Sequence, residues 1–430
     1  MSVLRSVPLG AACLLWCAAA LAAPRNLEPP PSSATPSVLA APMPLRAAVQ
    51  EIWNQSPEVQ AAAAELEAAR ARARAAARPL YNPSLTADAE NADVNRRTVG
   101  ISLPLDLSGK RRARTAQGDA DLRAGEAAYA LQRIDVASRW LKAWSEVALT
   151  ARQRELGQRR VEMMQRFDEL AAQRLKLGDI SSPERDLAAL ALGEAQAQQA
   201  ALTGKEAAAR ATLQAVAGTA PVVSPALPEG LPPQADGIVP LPIDELPALH
   251  LARARQASAQ AGVRVAQKAR IPDPTLSLTG GEVRVGAIRD NVIGLSVSIP
   301  LPVLNNGSAE VDAARADADA ASANAQAQRL RLRSGLEEAR TRYAALRSAD
   351  AAFHSGRAAA FADRTTLLEK LWRAGEISTS DYLVQLKESL NTALTGLELQ
   401  SQTWQTWFDY LTAAGRLNDW IEGRTQELPR

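Results

Sequence analysis

The chain has 430 residues, 47% hydrophobic and 22% charged, yet Phe, Trp and Tyr together reach only 4%. So few aromatics leave little bulk for ordinary globular cores, whereas abundant Ala with Arg, Gln, Glu and Leu is the composition of long, closely packed helices. A formal net charge of +2 argues against nucleic acid or another polyanion as the main partner, and the many Arg residues read as solvated helix faces.

At the N-terminus, Arg5, the apolar run Val7 to Leu21 and the A-x-A site formed by Ala20 and Ala22 predict an export signal over residues 1–22. The run is too short for a membrane anchor, and Pro24 follows at once. Both cysteines, Cys13 and Cys17, fall inside this segment, so the mature chain is expected to hold neither a disulfide nor a thiolate metal site. Trp16 argues against lipidation at Cys17. Residues 23–44 are proline-rich and predicted to be an extended arm. No other window approaches the roughly 20 apolar residues of a membrane helix. An exported chain of this kind is periplasmic, secreted, or inserted as a β-barrel.

From there the chain is one unit written twice. Ser56-Pro57-Glu58 returns at Leu246-Pro247-Ala248, and Asn82-Pro83-Ser84-Leu85 as Asp273-Pro274-Thr275-Leu276. Gly100-Ile101-Ser102-Leu103 returns as Gly294-Leu295-Ser296-Val297, and Gly178-Asp179-Ile180-Ser181 as Gly375-Glu376-Ile377-Ser378. Four matches in one order point to duplication. The first repeat spans 45–220, a proline-rich linker spans 221–245, and the second repeat spans 246–430. Each predicts a helix, a strand pair, a very long helix, a glycine break and a shorter helix. The strand pairs are placed at 84–105 and 275–301, and the breaks at Gly178 and Gly375.

The long helix of the first repeat runs without proline from about Lys110 to Leu177, which spans roughly 100 Å. Leu149, Leu156, Met163, Leu170 and Leu177 recur every seven residues. So do Leu332, Ala339, Leu346, Phe353, Ala360, Leu367 and Ala374. A seven-residue period predicts a left-handed coiled-coil seam, with the glycine breaks as hairpin tips. Laid end to end, the two shorter helices of a repeat match the long one, so the proline-rich stretch should fall near mid-height.

The strands alternate apolar and polar: Leu85, Ala87 and Ala89 against Thr86, Asp88 and Glu90; Ile101, Leu103 and Leu105 against Gly100, Ser102 and Pro104; Ile293, Leu295, Val297 and Ile299 against Gly294, Ser296 and Ser298. A half-buried sheet in a soluble domain would show the same alternation. In a bilayer, however, four strands cannot close a barrel and open edges are not tolerated. Three chains would supply twelve, so closure predicts a homotrimer in outer-membrane lipid.

This pattern resembles the TolC family of outer-membrane efflux factors over essentially the whole mature chain. Leu103-Pro104-Leu105-Asp106-Leu107-Ser108-Gly109-Lys110-Arg111 and Ile299-Pro300-Leu301-Pro302-Val303-Leu304-Asn305-Asn306-Gly307 are most similar to the heavy-metal branch (cobalt–zinc–cadmium and copper export). The resemblance implies a mainly α protomer contributing to a trimeric 12-stranded barrel, continued by a coiled-coil tunnel in the periplasm. It also implies docking to a periplasmic adaptor and an inner-membrane pump of the resistance–nodulation–division type. The tips Leu177, Gly178, Asp179, Ala374, Gly375 and Glu376 would meet the adaptor. Glu184 and Asp381, with Tyr382 beside the latter, would line the periplasmic aperture, although acids restarting a helix also suit its dipole. Pro183 stands where a hydroxyl residue is common, and Ile377 where one member has a gating Arg.

No catalytic constellation, phosphate loop or H-E-x-x-H motif is present, so no enzyme activity, cofactor or resident metal is expected. His250 and His354 read as surface or seam residues, and the pairs Trp140 with Trp144 and Trp404 with Trp407 as packing anchors. The expected function is a passive exit duct for heavy-metal cations. The alternatives are a duct for drugs or for type I secretion, or a periplasmic coiled-coil adaptor. The adaptor would need one hairpin flanked by β-rich domains rather than two hairpins.

Overall fold

The computed structural model describes residues 41–218, 225–228, 230–355 and 361–424. The export segment at 1–22 with Cys13 and Cys17, most of the arm, residues 219–224 and 229 of the junction, and Ala360 lie outside the described residues. Chain order runs α1 (Met43–Gln55), α2 (Pro57–Ala77), β1 (Ser84–Glu90), β2 (Val94–Pro104), α3 (Lys110–Leu177) and α4 (Ser182–Ala217). It continues with α5 (Pro247–Ala269), β3 (Thr275–Val285), β4 (Ile288–Ser298), α6 (Ser308–Ser355), α7 (Phe361–Arg373), α8 (Thr379–Ala413) and α9 (Leu417–Glu422). The strands make one antiparallel sheet in the order β1-β2-β3-β4, which does not close on itself.

Beneath the sheet the helices repeat its order. α3 packs between α2 and α5, and α5 in turn against α6. Further down, α4 takes the place of α2 beside α3, and α8 that of α5, packing against α3, α6 and α7. Gly218, at the end of α4, lies against Pro57 at the start of α2. Likewise the Ala414 carbonyl, at the end of α8, accepts from the Leu241 amide (2.9 Å) just before α5. Half-length helices thus meet end to end beside the unbroken α3 and beside α6.

The strand-to-helix motifs are capping devices. Both Asp106 oxygens accept from the first turn of α3, from the amides of Lys110 (2.8 Å) and Arg111 (2.7 Å). These bonds hold the Asp106 carboxyl below its usual range against the opposing effect of burial. Before α6, Asn305 accepts from Gly307 (2.9 Å) and Asn306 from Ser308 (3.0 Å), so amides replace the carboxylate. The two repeats are stitched under the sheet at buried Asp273, which accepts from Tyr81 (2.6 Å) and pairs with Lys110 (2.8 Å).

Two apolar clusters hold the rods. The larger lies at mid-height, where α1 and α9 cross the bundle, and includes Trp140, Trp144, Tyr343, Trp407, Phe408 and Tyr410. Parts of the proline-rich junction are tied to it: Pro225 O accepts from Trp144 (2.8 Å), Pro232 O from Arg347 (2.7 Å) and Ala235 O from Tyr410 (3.2 Å). The tryptophan pairs are indeed packing anchors.

The seam differs in register from the seven-residue series read in the sequence. In α3 the buried rows are Thr150, Gly157, Met164, Ala171 and Gln153, Arg160, Phe167. Of the series read in the sequence, Leu149 is fully buried, Leu156, Met163 and Leu170 flank these rows, and Leu177 is 76% exposed. In α8, Thr379, Leu386, Gln400 and Trp407 alternate with Tyr382, Ser389, Gly396, Thr403 and Tyr410. The period is heptad, but the line of closest approach is set by which neighbours flank each rod. Gly396 sits where a side chain would strike the Phe353 ring.

Candidate functional site

At the lower end both hairpins turn in the same way. Gly178 (φ 81°) and Gly375 (φ 78°) adopt the left-handed conformation that bulkier residues resist. After α3, Gly178 N donates to Leu175 O (3.1 Å) and Asp179 N to Arg174 O (2.9 Å). After α7, Gly375 N donates to Trp372 O (3.0 Å) and Glu376 N to Leu371 O (3.0 Å). These paired bonds are a Schellman closure, which satisfies the last carbonyls and ends the helix sharply. Leu177, Gly178, Asp179, Ala374, Gly375 and Glu376 are all exposed.

The returning helices α4 and α8 then start with the two acids singled out for the aperture. Glu184 accepts from the Ser181 amide (2.8 Å) and hydroxyl (2.9 Å), completing a capping box at the start of α4. Those bonds, the amide first, hold the Glu184 carboxyl below its ordinary range. At α8, Ser378 Oγ accepts from the Asp381 amide (3.1 Å) and donates to the Asp381 carboxylate (2.7 Å). Both acids therefore take part in the caps of the helices they begin.

Tyr382 corrects the expectation that it stands in the aperture. It is 2% exposed, with its ring centroid 5.1 Å from Phe167 and 5.3 Å from Trp372. Phe167 and Trp372 are themselves 4.5 Å apart. The Arg174 guanidinium lies 4.8 Å over Trp372 and donates to Arg373 O (3.2 Å), so the two tips are held as one block. Lys387 and Glu194 (2.7 Å) add a bridge between α8 and α4. Phe167 and Trp372 were not singled out in the sequence; the available signal was a cluster of scarce aromatics just before and after the breaks.

At the upper end, strand register sorts side chains by face. Leu85, Ile101, Leu278 and Leu295 stand side by side, as do Ala87, Val99, Gly280 and Ile293 in the next row. This apolar face is open, with Ile293 83% and Leu295 71% exposed. The opposite face carries Ser84, Ser102, Ser277 and Ser296, then Thr86, Gly100, Thr279 and Gly294. Toward the hairpin turns this face carries Asp88, Thr98, Gly281 and Val292, then Glu90, Arg96, Val283 and Asp290, and ends on Val94, Val285 and Ile288. Asp290 went unnoticed because its face depends on pairing with β3.

Among the described residues no group of three or more His, Cys, Asp or Glu could hold a metal. No described helix is long and apolar enough to cross a membrane. His250 is exposed, and His354 lies 2.9 Å from the buried Asp350 carboxylate.

A family model described as outer membrane efflux protein matches residues 48–219 and 243–416. The cobalt-zinc-cadmium resistance protein CzcC of Cupriavidus metallidurans is 26% identical over 285 residues, covering 64% of this chain and 67% of that protein. Among solved structures, a membrane protein from Pseudomonas aeruginosa superposes with a TM-score of 0.74 at 18% identity, over 87% of this chain and 94% of that one. The outer membrane protein VceC of Vibrio cholerae gives 0.70 at 20% identity, over 86% and 96%.

Proposed function

Since the chain belongs to the outer membrane efflux protein family, we propose that three copies close their sheets into one twelve-stranded barrel whose helical tunnel releases heavy-metal cations. The chain is the outer-membrane channel of an efflux system, with its rods in the periplasm, and it is not an enzyme. Family members form trimeric channels that work with adaptors and inner-membrane pumps. One observation carries the proposal: over the rows nearer the helices the sheet is apolar on one open face and polar on the other, and it is unpaired at both edges. In lipid such edges must be satisfied by another copy.

The cargo reading rests on the polar face, which becomes the lumen when the apolar face meets lipid. Three carboxylates to one guanidinium near the outer mouth favour cations. The name of the relative CzcC agrees with that chemistry. At the lower end Leu177, Gly178, Asp179, Ala374, Gly375 and Glu376 would meet the adaptor, an inner-membrane pump would feed the duct through it, and Glu184 and Asp381 would ring the aperture.

Reconstitution in planar bilayers tests both rings. Glu184→Ala with Asp381→Ala should raise single-channel conductance and lower the cation-to-anion permeability ratio about two- to fivefold. Asp88→Asn with Glu90→Gln and Asp290→Asn should lower that ratio by a similar factor with little change in conductance. A ratio unchanged in both sets rules out the electrostatic reading. A purified chain that stays monomeric in detergent and forms no channels rules out the duct.

A further inference from the structure

On the apolar face, the rows nearest the hairpin turns change character. Beyond Ala87, Val99, Gly280 and Ile293 comes a row of Ala89, Arg97, Glu282 and Asn291, then one of Asn95, Arg284 and Arg289. Arg97, Arg284 and Arg289 are all exposed. Arg284 and Arg289 are direct cross-strand partners, an arrangement in which like charges destabilise the ladder. A single carboxylate serves this face: Glu282 takes Arg289 at 3.0 Å. Among the described residues no ion pair is made by Arg97 or Arg284. The acids at this level, Asp88, Glu90 and Asp290, stand on the other face and cannot neutralise them.

These arginines directly continue the lipid-contacting rows, so they reach the headgroup layer on the side away from the periplasmic helices. We infer that Arg97, Arg284 and Arg289 bind the phosphate monoester of a phosphorylated glycolipid in the outer leaflet. Such a phosphate carries about −1.5 to −2 charges and accepts the two-pronged donation that a guanidinium offers. Seated between Arg284 and Arg289, it relieves their repulsion while its acyl chains lie along Leu278, Ile293 and Leu295. A phosphodiester headgroup bears one negative charge and fits less well. The inference rests on the sheet being the membrane wall.

The test uses the full mature protein in phosphatidylcholine nanodiscs, with native mass spectrometry as the readout. The probes are bisphosphorylated lipid A, the same lipid with its phosphates removed, and inorganic phosphate. Wild type should retain the bisphosphorylated lipid at least tenfold better than the dephosphorylated one, and inorganic phosphate should not displace it at equal concentration. Arg284→Gln with Arg289→Gln should abolish the preference, and Arg97→Gln should reduce it. Arg284→Lys with Arg289→Lys, which keeps charge but not the fork, should fall between and covers the case that the Gln pair fails to insert. Equal retention without phosphates, full retention by the Gln variants, or displacement by equimolar inorganic phosphate overturns the inference. Channel conductance recorded on the same preparations separates this outcome from failure of the duct reading, since the Gln variants should conduct like wild type.

Discussion

Trp407→Ala is expected to destabilise the fold by about 3–5 kcal/mol, the cost of emptying a large aromatic from a packed core. Trp407 is completely buried on α8, 5.0 Å from Tyr343 and 6.2 Å from Tyr410 by ring centroids. Its indole nitrogen has no hydrogen-bond partner among the described residues, so its contribution is apolar area and dispersion. Its position multiplies the consequence. At mid-height α4 hands over to α2 and α8 to α5, so side chains rather than backbone carry the load across two helix ends. Trp407→Phe keeps much of the ring area and should cost under half as much. The temperature at which the purified protein loses helical circular dichroism in detergent measures both. A Trp407→Ala protein that melts with wild type would mean the cluster is not what joins the stacked helices.

Trp372→Ala should loosen the lower end alone. Its ring is the centre of the tip block, tilted against Phe167 and stacked on Tyr382 with Arg174 above, and its N–H donates to Thr379 Oγ1 (3.3 Å). Removing it leaves a cavity among two other aromatics and should cost about 3 kcal/mol locally. The mid-height cluster shares no residue with this one, so the rods above should keep their stability. The expected signature is faster tryptic cleavage at Arg174, Lys176 and Arg373, with an unaltered melt of the remainder and loss of export in cells. Trp372→Phe retains the stack without the Thr379 bond and should behave close to wild type. If Trp372→Ala resists trypsin as wild type does, the tips are held by their capping turns and not by the aromatic block.

Burial also changes what Tyr382 can do. Away from water its hydroxyl is pushed up to about 12, so it stays neutral and serves the stack. As a neighbour of Asp381 in sequence it looked like part of the same ring. Yet consecutive residues on a helix point about 100° apart, and the one beside an exposed acid can face the core. Glu184 and Asp381 remain available to solvent at the helix starts, where an acidic residue suits the helix dipole.

Wherever physics acts over a few residues, the primary structure was sufficient. The long α3 follows from an uninterrupted run without proline, the turns at Gly178 and Gly375 from the need for a positive φ, and the strand pairs from a period of two. The duplication follows from matched words in matched order. What stayed hidden involved partners far apart in the chain. Below Leu149, which is buried, the seam of α3 runs through Gly157, Gln153 and Arg160 rather than through Leu156, Met163 and Leu170, because α4 and α8 choose the face by approaching it. Tyr382 is buried by Phe167, more than two hundred positions earlier. That Asp290 shares a face with Glu90 and Arg96, and Arg289 with Arg284, becomes visible only once β4 is registered against β3 and β3 against β2. Local backbone preference and hydrophobic period are properties of a short segment, whereas the identity of the covering neighbour is decided by packing of the whole.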